Sequence, residues 1–132
     1  MIPTHIFDTD EQGLIFSRDC CEYHFLTPSG ASLVLLINHV KSKGFSTPGD
    51  KTGARKRARQ AKRVAEIYQG LQGPGVDLIA VIGDFNDSPD SDALARPSSP
   101  RTDMRDISTH PAFDFGSRKG TFGGGFRHSR TF

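Results

Sequence analysis

Cysteine, long apolar runs and net charge are all scarce in this 132-residue chain, and each scarcity removes a class of protein. The two cysteines are adjacent, Cys20-Cys21, and neighbours in an extended segment point to opposite faces, so a disulfide between them would need a strained peptide. The five histidines are scattered and no pair has zinc-ligand spacing, which sets a zinc site aside. No stretch approaches the roughly 20 apolar residues of a membrane-spanning helix. Met1-Ile2-Pro3-Thr4-His5 lacks the basic start and apolar middle of a signal peptide, so the product as written is expected in the cytoplasm. A net charge of +2 does not by itself argue for nucleic acid, although a pI near 8.7 leaves that partner open. The length fits one domain, and a hydrophobic content of 35% is low but enough for a modest core.

What is present is organised around residues 76–89. Leu78-Ile79-Ala80-Val81-Ile82 is an unbroken aliphatic run that predicts a strand buried on both faces. It stops at Gly83-Asp84-Phe85-Asn86-Asp87-Ser88-Pro89. Two readings meet here. Aspartate and asparagine favour turns through local hydrogen bonds, which makes an Asx turn ending at Ser88-Pro89 sufficient. Alternatively the segment is the edge of an active site: if the chain stays extended, Asp84 and Asn86 point the same way while Phe85 turns into the core.

Upstream, residues 14–27 read as a strand with Cys21, Tyr23 and Phe25 on one face and Cys20, Glu22, His24 and Leu26 on the other, one face core and the other partly wet. Pro28-Ser29-Gly30 supplies a turn, and Ser32 to Asn38 is a second strand, so residues 19–39 form a β-hairpin that delivers His39 to a strand end. Lys41 and Ser42 follow, a point charge and a hydrogen-bond donor that suit a phosphate.

Gly83-Asp84-Phe85-Asn86-Asp87 with Ser88-Pro89 resembles the aspartate/asparagine motif of the endonuclease/exonuclease/phosphatase superfamily, the deoxyribonuclease I-like metal-dependent phosphoesterases. The strand Leu33 to Asn38 followed by His39-Val40-Lys41-Ser42 is similar to that family's histidine motif. The resemblance covers residues 15–122. It implies an α/β (α+β) chain that is part of a four-layer αββα sandwich. It also implies hydrolysis of a phosphodiester or phosphomonoester, with Asp84 and Asn86 aligning the attacking water and His39 contacting the scissile phosphate or helping the leaving oxygen. The cofactor implied is Mg2+ or Mn2+, with Asp84 and Asn86 as its ligands. DNA, RNA, phospholipid and small phosphoesters are not distinguished as substrates.

Residues 43–52 read as a loop, with Thr52 or Asp50 placed to cap a helix from Gly53 to Leu71. Ala54, Ala58, Ala61, Ala65 and Tyr68, with Val64, Ile67 and Leu71, give that helix an apolar stripe. Its other face carries Lys51, Arg55, Lys56, Arg57, Arg59, Lys62 and Arg63, seven of the chain's 17 cations. Such a cluster is either a solvated face or a nucleic-acid footprint, and a non-catalytic phosphate- or nucleic-acid-binding module using this helix is the alternative function. A strand, a helical connection and a second strand make a crossover that brings His39 and Asp84 to one sheet edge if the strands run parallel.

The flanks are read as loops. Residues 1–14 form an N-terminal loop in which Asp8 to Gly13 lacks the later acidic ligand of a calcium loop and is expected to be a turn. Residues 90–94 suggest a helical turn, 97–100 a loop, 102–107 a short helix packing Met104 and Ile107, and 111–116 irregular chain. Arg118-Lys119-Gly120-Thr121-Phe122 resembles the family's segment before its last strands, but residues 123–132 then read as a Gly-rich irregular tail. The family's later Lys-Ile-Asp-Tyr-like strand and Ser-Asp-His are absent, no strand is expected to carry His128, and neither Glu11 nor Glu22 has the context of the family's metal-binding glutamate. The expectation is a partial domain of low activity whose uncovered apolar sheet face promotes self-association.

Overall fold

A computed structural model describes residues 3–44, 48–88, 90–95, 102–114, 116, 122–124 and 127–129, the last two stretches by backbone alone. The expectations for residues 45–47, 97–100 and 118–121 lie outside them. The chain mixes helix and sheet. β1 (Thr9–Asp10) and β2 (Gly13–Leu14) form a small antiparallel ladder around the expected turn. β3 (Cys21–Leu26) and β4 (Ser32–His39) form the predicted hairpin, with Thr27 N–H donating to Ala31 O at 2.8 Å across its turn. α1 (Ala54–Leu71) follows, and β5 (Leu78–Asp84) returns parallel to β4, giving the order β3-β4-β5.

Alternation along these strands decides what each face does. Val34 and Leu36 are fully buried and pack with Val64, Ile67 and Tyr68 of α1, joined by Ile15, Phe16 and Cys20 from the segment before β3. Residues 15–20 are therefore irregular chain that lends Ile15, Phe16 and Cys20 to the core, and of the long strand expected there Cys21–Leu26 pairs with β4. Glu22 belongs to this face: pairing opposite Leu36, it is buried at 7% exposure, not on a wet surface.

The opposite face carries Tyr23, Phe25, Leu33, Leu35, Ile37 and Leu78, placed together by the register; Tyr23 and Phe25 stack with ring centroids 6.4 Å apart. Phe25, Ile37 and Leu78 are 47%, 37% and 57% exposed, so this apolar face is not covered among the described residues. This corrects the expectation that residues 78–82 are buried on both sides. β5 is an edge strand whose Ile79 and Val81 pack toward α1 while its alternate residues join the open face.

α1 begins one residue later than expected. Gly53 occupies the N-cap in a left-handed conformation, φ 67°, and the cap is supplied from further back. Asp50 accepts the backbone N–H of Lys56 at 3.0 Å and of Arg55 at 3.3 Å, satisfying donors that a helix start leaves open. The buried stripe also differs from the one read in sequence, because it includes Arg57 at 2% and Gln60 at 0% exposure.

Residues 90–95 form turns, with Leu94 N–H donating to Ser91 O at 3.0 Å. The helix expected at 102–107 is not formed. Asp103 instead accepts from Tyr68 Oη at 2.6 Å and Gln72 Nε2 at 2.8 Å, Asp106 accepts from Ser108 N–H and opens a 3-10 turn at Ile107–Thr109, and Ile107 is exposed. The tail is not wholly irregular: β6 (Phe122–Gly124) pairs antiparallel with β7 (Arg127–Ser129), so a strand does carry His128, opposite Gly123. No described helix is long and apolar enough to cross a membrane.

Candidate active site

Parallel pairing of β4 and β5 ends with His39 opposite Asp84. Their side chains lie at the rim of the open face, His39 Nε2 3.9 Å from Asp84 Oδ2, each about half exposed at 45% and 51%. The two termini are then laced together. Val40 N–H donates to Asp84 O at 3.0 Å, and Asn86 Nδ2 donates back to Val40 O at 3.0 Å. Between them Phe85 is 4% exposed and packs with Val40, Ala61 and Leu94 in a second small core, which is the anchor expected of it.

The turn read for this segment is present at its start. An Asx turn exists: Asp84 Oδ1 accepts Asn86 N–H at 2.9 Å, and Asn86 takes the left-handed conformation, φ 50°. The chain therefore does not stay extended through Asn86, and its amide is turned onto Val40 instead of lying parallel to Asp84. Asp84 Oδ2 remains beside His39. Lys41 and Ser42 follow on the same loop, half-buried, with their backbone fixed from α1: Lys41 N–H donates to Gln60 Oε1 at 2.8 Å and Lys41 O accepts from Arg57 Nη1 at 3.2 Å.

Asp87 is the residue that sequence reasoning passed over. It is 5% exposed and ion-paired with Arg57, Nε to Oδ2 2.9 Å, and with Lys43. Burial raises its carboxyl pKa, but the Lys43 and Ser88 N–H hydrogen bonds and the nearby charges of Arg57 and Lys43 outweigh that and hold it below the usual range. The available signal was a second aspartate directly after the Asp-Phe-Asn run, facing a helix with an arginine among its alanines.

Glu22, the one buried glutamate among the described residues, does not join the site. It lies on the α1 side of the sheet and is held by His24 Nε2 at 2.6 Å and His5 Nε2 at 3.2 Å. Burial raises its pKa, and the two histidines lower it further than burial raises it. For the implied Mg2+ or Mn2+, Asp84 Oδ2 and the Asn86 side-chain carbonyl are the candidate protein oxygens, and waters or substrate would have to fill most of the octahedron. Among the described residues no three of the types His, Cys, Asp and Glu converge on a metal position. One carboxylate and one amide are by themselves a weak site for such an ion.

Four of the seven cations of the basic helix pair with carboxylates of the same chain. Arg57 pairs with Asp87, Arg59 with Asp10, Arg63 with Asp8 at 2.7 Å and Glu66, and Lys62 with Glu66, while Lys56 donates to Leu14 O. A polar cleft of about 480 Å3 between residues 8–12 and α1 is lined by these same pairs and lies away from His39 and Asp84 in the lining it presents. Comparison with family models, with curated proteins and with solved structures finds no match.

Proposed function

We propose that this chain carries the catalytic edge of a phosphoester hydrolase of the endonuclease/exonuclease/phosphatase type, within part of an αββα sandwich. The observation that supports it most is the register that sets His39 against Asp84 at the ends of parallel neighbouring strands, where ligands of open α/β sheets bind. In this reading Asp84, fixed through Oδ1 by the Asn86 N–H, presents Oδ2 to a water and accepts its proton as the water attacks phosphorus in line. His39, half exposed at the rim, donates to the phosphate or to the departing oxygen. Asn86 holds the two strand ends together through Val40 O, so its part is orientation. Lys41 and Ser42 serve the phosphate from the loop after β4. Mg2+ and Mn2+ enter as additions to the assay. Internal pairing of four of the cations of α1 weakens the binding-module alternative.

The test is hydrolysis of a nitrophenyl phosphodiester, with Mg2+ or Mn2+ added, by the chain and by Asp84→Ala. Low turnover is expected, falling by roughly 10²-fold or more in the variant. Equal turnover in both would sink the reading. In parallel, a dinucleotide titration followed by NMR should shift His39, Val40 and Asn86 first; no change at these residues counts equally against it.

The proposed sandwich has a second consequence. Its uncovered sheet face makes the isolated chain self-associate, since contiguous apolar patches of this kind are rare on monomers. Sedimentation velocity is expected to show concentration-dependent association that Phe25→Lys with Ile37→Lys abolishes. A compact monomer of the unsubstituted chain at high concentration contradicts this.

A further inference from the structure

We infer that Arg57 is the positioning residue of the site, a buried clamp on α1 that ties together the loops following His39 of β4 and Asp84 of β5 and so fixes the strand ends and Asn86 relative to each other. This rests on the function proposed above and adds to it a residue that touches neither substrate nor reacting atoms. The site lies where β4 and β5 run out into their following loops, and one guanidinium holds both loops. Nε of Arg57 donates to Asp87 Oδ2 at 2.9 Å, three residues beyond Asp84, while Nη1 donates to Lys41 O at 3.2 Å, two residues beyond His39, and to Thr52 O at 2.9 Å at the helix start. The side chain is 3% exposed, so these bonds do not compete with bulk water. A planar fork with several donors in fixed directions suits such three-way bridging, which a lysine ammonium does not reproduce.

One turn further along, Gln60 repeats the contact from a fully buried position by accepting Lys41 N–H at 2.8 Å. The backbone around the clamp is closely fitted: a Cβ on Gly53 would lie 2.9 Å from Ser42 O, 3.0 Å from Lys41 Cγ and 3.3 Å from Arg57 Nη1. Arg57 therefore determines loop placement more than it contributes charge to a ligand.

Removing Arg57 alone strands Asp87 in a buried position and risks unfolding, so the informative variant is Arg57→Met with Asp87→Leu, an apolar replacement of the whole pair that folds tolerate well. Amide hydrogen exchange is followed in the ligand-free protein. Expected is at least a tenfold acceleration at Val40, Lys41 and Asn86, with exchange at Leu36 and Val64 unchanged, and loss of the dinucleotide-induced shift at His39. Arg57→Lys, which keeps the charge, should reproduce the local acceleration. Unchanged protection at Val40, Lys41 and Asn86 in the double variant overturns the inference, as does uniform acceleration across β4 and α1, which would mark Arg57 as general stabilisation only. The exchange measurement needs no substrate, so if the unsubstituted chain binds no dinucleotide, the function falls while loop positioning is still decided.

Discussion

Alanine at position 83 is expected to break the pairing of β4 with β5 and to remove the site with it. Gly83 has φ 128°, a region that side-chain-bearing residues rarely adopt, and a Cβ there would lie 1.9 Å from Asn38 O and 2.8 Å from Asn38 C. Asn38 is its register partner, so the clash falls on the backbone of the neighbouring strand, and no rotamer relieves it. Strained backbone costs about 1–3 kcal/mol, and overpacking adds about 1–3 kcal/mol. Small domains are stable by only about 5–15 kcal/mol, so the sum is a large share of the total. Thermal unfolding followed by circular dichroism measures it. A melting temperature within error of the unsubstituted chain's would show that β4 and β5 do not depend on this close approach. The site depends on it directly, because the next residue is Asp84 and its carbonyl receives Val40 N–H.

The parts of the fold that follow from periodicity were legible. The hairpin over 19–39 was marked by a Pro-Ser-Gly turn between two extended runs, and α1 by alanines and aliphatics at helical spacing; both occur nearly where expected. His39 and Asp84 were placed at one edge because a helical connection between two strands brings them parallel, and the register makes them direct neighbours. Other features depended on tertiary partners. Arg57 was read with the basic face because a cation at a helix position carries no mark of whether a buried carboxylate waits opposite. Residues 78–82 looked doubly buried because an aliphatic run has the same appearance whether its second face meets a sheet or nothing. Asn86 departed from the extended geometry because its own N–H closes a ring onto Asp84, a local bond that competes with strand continuation. The short helix expected at 102–107 lost to Asp103, whose carboxylate is worth more docked to Tyr68 and Gln72 than solvated on a single helical turn.

Asp87→Ala, made alone, is expected to destabilise the chain by about 3–5 kcal/mol, the usual cost of leaving one partner of a buried ion pair uncompensated. Arg57 has no freedom to follow its charge into solvent, since it is 2% exposed and two of its donor contacts are to backbone carbonyls. Replacing both partners by apolar residues should cost far less, because the uncompensated charge is then absent. Urea denaturation of the single and double variants separates these cases; a single variant no less stable than the double would show that the pair is solvated in practice. The dependence on pH has a definite sign. The folded carboxyl lies below its ordinary value of 3.8, so its contribution is complete above that value and is lost as pH falls through the lower folded-state value. The gap in stability between the unsubstituted chain and Asp87→Ala is therefore expected to be constant from neutral pH down to about pH 5 and to narrow below about pH 4. A gap that stays constant through acid would show that the ionised Asp87 carboxylate is not what stabilises the fold. Arg57 stays charged throughout this range, so protonation of Asp87 in acid leaves the same buried cation unpaired as the substitution does.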